Sequence, residues 1–115
     1  MPKTFHEHSP LTETTFYILL SLTSERKHGY AILKVVEGLS QGRVIFSTGT
    51  LYGALSRLLD QGLIECVEEE DPAQVGRPRK FYTLTRSGRR MLEAEAERLM
   101  LMLAAAQQRL AQSGA

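Results

Sequence analysis

With one cysteine, no tryptophan and almost no net charge among 115 residues, the chain excludes several kinds of protein by what it lacks. Cys66 alone cannot close an internal disulfide, which suits a reducing cytoplasm. A formal charge of +1 supplies no global field to attract nucleic acid, so any such attraction must come from local patches. Long apolar runs are also missing. The longest, Leu99 to Ala106, has eight residues, far short of the ~20 that cross a bilayer. Met1 to His8 contains no apolar signal core. A cytoplasmic protein without a membrane partner is the expectation. No nucleophile elbow, phosphate loop or catalytic carboxylate pair appears, so neither an enzyme nor a cofactor is expected. His6, His8 and His28 have no partners at ligand spacing, and no metal site is predicted. Cys66 alternates on a strand and reads as a small buried hydrophobe.

What is present fits one modest domain, with 43% hydrophobic and 23% charged residues. Residues 1–10 read as a loose arm. Thr12 and Glu13 open a first helix whose stretch Thr15 to Leu22 is almost wholly apolar, so it should be covered on most sides. A second helix begins at Gly29 and aligns Ile32, Leu33, Val35, Val36 and Leu39 on one stripe. A third runs from about Thr48 to Gln61, with Ser47 as N-cap and Phe46 as a staple toward Leu51. It buries Leu51, Leu55, Leu58 and Leu59. Its other face carries Gly49, Thr50, Gly53, Ser56, Arg57 and Asp60. Each glycine there costs about 1 kcal/mol of helix stability relative to alanine. A helix lying close to a phosphate backbone or a groove floor has a use for that sacrifice; a solvated one does not.

Gly62 ends this helix, and strands follow at Leu63 to Glu68 and Lys80 to Leu84. Glu68 to Asp71 reads as a solvated acidic loop, expected to bend away from phosphate. Arg77, Arg79 and Lys80 place three cations within four residues, directly before an aromatic, β-branched strand. So much charge cannot be buried unpaired in a small core and must face solvent or an anion. Thr85 then caps a final helix to about Gln112. Its apolar positions Leu92, Ala96, Leu99, Leu103, Ala106 and Leu110 are spaced 4, 3, 4, 3 and 4, a heptad seam.

Three helices, a basic hairpin and a long helix predict a mainly α winged helix-turn-helix in the order α-α-α-β-β-α. Residues 11–86 would form the DNA-binding domain and 87–115 a C-terminal dimerisation helix. The third helix should enter the major groove, with Ser47, Thr48, Thr50, Tyr52, Ser56 and Arg57 as base-edge or phosphate candidates. Arg77, Arg79 and Lys80 should grip the backbone. Tyr30 reads as a packing residue with a phosphate hydrogen bond within reach. Tyr52 admits two readings, a ring covering the leucine core or a DNA contact. Phe16, Leu20, Leu92, Leu99, Met102, Leu103, Ala106 and Leu110 are the expected dimer interface.

Particular residues make the pattern more specific. Leu11-Thr12-Glu13, His28-Gly29-Tyr30, Gly49-Thr50-Leu51-Tyr52, Gly62-Leu63-Ile64 and Gly76-Arg77-Pro78-Arg79-Lys80-Phe81-Tyr82, followed by Leu84-Thr85 and Gly88, occur in this order. Over roughly residues 11–90 the chain resembles the PadR family of bacterial winged-helix transcriptional regulators, in its short form with one helix after the wing. The resemblance implies a homodimeric repressor on double-stranded DNA, a DNA contact from Tyr52, and small aromatic or hydrophobic effectors near the dimer interface. Phe16, Tyr17, Met100 and Met102 are the candidate effector residues, although the plainer reading of these methionines, and the favoured one, is dimer-core filling. The rival reading is a winged helix for protein–protein contact without DNA, favoured by the near-neutral charge and the acidic wing.

Overall fold

The computed structural model describes residues 10–70 and 78–114, which leaves most of the N-terminal arm, with His6 and His8, and the wing tip from Asp71 to Arg77 outside the described residues. Four helices and one two-stranded sheet follow in the order α1 (Glu13–Ser21), α2 (Gly29–Leu39), α3 (Thr48–Asp60), β1 (Ile64–Glu70), β2 (Pro78–Leu84) and α4 (Arg86–Ser113). The predicted winged helix-turn-helix order is the observed one.

Each helix starts where a side chain can satisfy an orphan backbone donor. Thr12, Ser47 and Thr85 accept from the amides of Thr15, Thr50 and Gly88 at 3.0–3.1 Å. The α2 cap was not anticipated: His28 Nδ1 accepts from the Ala31 amide at 3.3 Å. The end of α3 is as predicted. Gly62 takes φ +73°, and the amides of Gly62 and Leu63 return to the carbonyls of Leu59 and Leu58. Those two bonds form the left-handed cap that only glycine adopts without strain.

The core joins Ile18, Leu19, Ile32, Val36, Leu51, Leu55, Leu58, Ile64, Tyr82 and Leu92. It draws on α1, α2, α3, the root of the sheet and the first turns of α4. Gly88 makes the last contribution possible, because a Cβ there would collide with the Leu63 carbonyl oxygen and lie 2.8 Å from Leu84 Cδ1. α4 is thus pressed backbone-to-backbone onto the sheet root. No residue from Thr15 to Leu22 is exposed, as the apolar run suggested, although Phe16, Tyr17 and Leu20 are only partly buried.

Two expectations fail in the sheet. β1 extends to Glu70, so Glu69 and Glu70 are strand rather than loop. Glu68, Glu69 and Glu70 lie opposite Lys80, Arg79 and Pro78 in an antiparallel register. Cys66 is exposed, not buried, because the outer sheet leaves the body and of β1 only Ile64 reaches the core.

Candidate nucleic-acid interface

Burial of Leu51, Ala54, Leu55 and Leu58 fixes the orientation of α3. At 3.6 residues per turn, the outward face is then centred on Gly49, Gly53, Ser56 and Asp60. Thr48 and Tyr52 flank it on one side, Thr50 and Arg57 on the other. Ser47, Thr48, Thr50, Tyr52, Ser56 and Arg57 are all exposed, as a groove-reading helix requires. Among the described residues nothing demands the two glycines. A Cβ at Gly49 would meet only Ser47 Oγ at 3.8 Å, and one at Gly53 only an Arg57 nitrogen at 3.7 Å. The helix therefore bears their cost without an internal gain.

Tyr52 combines its two readings. It is 50% exposed, while its hydroxyl rests so close to α2 that a Cβ on Gly29 would lie 2.5 Å from it. Tyr30 is 64% exposed, with the Lys34 ammonium 5.9 Å from its ring centre. A groove of about 500 Å³ collects His28, Tyr30, Tyr52, Arg79 and Lys80. Residues from the start of α2, from α3 and from the wing, remote in sequence, therefore share one opening. Arg77 lies outside the described residues. Arg57 faces away from this groove and lines a separate cleft with Thr12, Thr15 and Gln61.

The wing base is fixed by residues that sequence reasoning did not single out. The backbone of Lys27 pairs with that of Tyr82, amide to carbonyl in both directions at 3.0 and 2.8 Å, as an isolated bridge beside β2. His28 meets Phe81 edge-on at 6.0 Å, and the Arg26 guanidinium lies 4.9 Å from the same ring centre. Arg26 also donates two hydrogen bonds to the Glu69 carboxylate, at 2.5 and 2.7 Å, which hold its pKa above the ordinary arginine value. Burial pushes the Tyr82 phenol up, helped by Cys66 and Tyr52. A polar loop between two helices carries no periodic pattern that would have revealed this docking. The His28-Gly29 pair before an amphipathic helix was the one available signal. Among the described residues, no three His, Cys, Asp or Glu side chains gather as a metal would need, and no helix is long and apolar enough to cross a membrane.

A model of the transcriptional regulator PadR-like family matches residues 18–94. That span covers the end of α1, all of α2 and α3, the wing and the first turns of α4. The chain belongs to the PadR-like family of transcriptional regulators. It is 33% identical over 90 residues to the transcriptional regulator YqjI of Escherichia coli K12, covering 78% of this chain and 41% of that protein. The chain thus spans about two fifths of the length of that curated relative. Among solved structures, a PadR family regulator from Clostridium difficile superposes with a TM-score of 0.72 at 25% identity, covering 86% of this chain and 99% of the other. Bacillus subtilis PadR, solved in complex with operator DNA, has a TM-score of 0.65 at 25% identity, covering 74% and 47%.

The residues expected at a PadR dimer interface divide into two groups. Leu92 is 6% exposed and belongs to the subunit's own core, because Gly88 brings the start of α4 so close to the sheet. Phe16 and Leu20 are partly buried against that core. Leu99, Met102, Leu103, Ala106 and Leu110 are exposed on the projecting part of α4. Of the four effector candidates, Phe16 and Tyr17 border an apolar cleft of about 350 Å³ with Leu11 and Leu99. Met100 and Met102 are exposed farther along α4, and the Met102 sulfur accepts from Arg98 at 3.0 Å.

Proposed function

We propose that this PadR-like chain binds duplex DNA as a homodimer and acts as a repressor at a pseudo-palindromic operator. Convergence of Tyr30, Tyr52, Arg79 and Lys80 on one groove beside the outward face of α3 carries this reading. Thr48, Thr50, Tyr52 and Ser56 read base edges, Ser47 and Arg57 hold the adjacent backbone, and Arg77, Arg79 and Lys80 grip phosphates. That B. subtilis PadR was solved in complex with operator DNA supports duplex DNA as the partner. Residues 11–86 are the reading unit, behind the arm at 1–10, and 87–115 the dimerisation helix. Its exposed leucines and methionines support a second copy as partner, since so contiguous an apolar surface is unusual on a monomer. A small aromatic or hydrophobic effector fits the apolar cleft at Phe16 and Tyr17, closed in the dimer by Met100 and Met102. A cytoplasmic setting goes with this role.

An operator selected from a random duplex pool tests the proposal. Arg79→Ala should weaken operator and unrelated DNA by similar factors and make the salt slope shallower by about one unit. Tyr52→Ala should instead narrow the gap between the two. If the wild type is not retained on any duplex at low salt, the DNA reading fails and the protein–protein module takes its place.

A further inference from the structure

Residues opposite one another in an antiparallel ladder share a face, so Glu69 and Arg79 lie side by side, next to Val67 and Phe81. A carboxylate beside a phosphate-gripping arginine works against DNA binding in two ways. It adds negative charge to the face that meets DNA, and it repels phosphate. Glu69, however, is engaged from outside the sheet: both of its oxygens accept from Arg26, whose guanidinium also covers Phe81. Arg26 immediately precedes Lys27, the residue whose backbone joins the wing to the helical body. One side chain thus occupies the opposing carboxylate and holds the wing at a set angle to α3.

We propose that Arg26 is a positioning residue for DNA binding, which holds and neutralises the Glu69 carboxylate beside the phosphate backbone without itself touching DNA. The inference rests on the DNA-binding reading above. An isolated exposed ion pair contributes little, but a bidentate fork stacked on an aromatic ring is the geometry in which such a pair holds its position.

The test is a double-mutant cycle of duplex affinity over a salt series, with melting curves to confirm that each variant is folded. Arg26→Ala should weaken binding about fivefold, with the salt slope unchanged because no phosphate contact is lost. Glu69→Gln removes the carboxylate and should bind within about twofold of wild type, and in that background Arg26→Ala should have no further effect. A loss that persists beside Glu69→Gln, with a shallower slope, would make Arg26 a direct phosphate contact and overturn the proposal. An unchanged affinity for Arg26→Ala would overturn it as well. A wild type that binds no duplex would instead fail the underlying DNA reading, and the cycle would have no affinity to modulate.

Discussion

The two ends of α4 share one helix, yet the end poorer in apolar residues is the buried one and the richer end is exposed. At the inner end Gly88, Leu92 and Glu95 are buried, and every polar group among them has a partner. Glu95 accepts from the Leu11 amide at 3.1 Å and from Arg98 at 2.5 and 3.0 Å, which fastens the start of α1 to α4. At the outer end every described residue from Leu99 onward is exposed, Leu99 by 40%, Leu103 by 57% and Leu110 by 68%. Burial along a helix is thus decided by what stands beside it, not by the helix. The inner end is complete within the chain, whereas the outer end has no cover among the described residues. The outward face of α3 is of the second kind, with glycines that serve no internal contact.

The largest effect should come from breaking the inner end. Gly88→Ala forces a methyl group against the Leu63 carbonyl, backbone that cannot step aside, and should cost about 3 kcal/mol in denaturant unfolding. A change below about 1 kcal/mol would mean that α4 can lift from the sheet freely. Leu103→Asp breaks the outer end instead. Light scattering should report monomer where the wild type is dimeric, while the fold of each subunit survives. A wild type that remains monomeric at micromolar concentration would remove the reason for treating the outer end as an interface.

Glu95 sharpens the contrast through pH. The Arg98 hydrogen bonds, aided by the Leu11 amide, outweigh burial and hold its carboxyl below the ordinary 4.5. A depressed folded value means that the stabilisation is present above pH 4.5 and is lost as the pH falls through that lower value. Glu95→Gln should cost about 2 kcal/mol at neutral pH and flatten the acid limb of the stability curve. An acid limb identical to the wild type would assign it to other carboxylates. The smallest effect belongs to α3. Gly53→Ala should stabilise the free protein by up to about 1 kcal/mol while weakening DNA binding, since its only nearby side-chain atom is the movable end of Arg57. Stabilisation without loss of affinity would show that nothing outside the chain approaches α3 at that point.

Local chemistry alone determined much of this. Hydroxyl caps at Thr12, Ser47 and Thr85, the left-handed Gly62 and the leucine spacing of α3 act within a turn or two of chain, so their elements follow directly from the residues. The outward set on α3 follows as well, because burying one side of a helix dictates the other. The pairing of Glu68 and Glu69 with Lys80 and Arg79 was decided only in three dimensions, as was the docking of Arg26, Lys27 and His28 on the wing. So was the division of one heptad seam between a buried Leu92 and an exposed Leu103. Each depends on which distant segment stands opposite. A local pattern reports which side chains are apolar or charged; the neighbour that will cover or neutralise them is supplied by the tertiary fold.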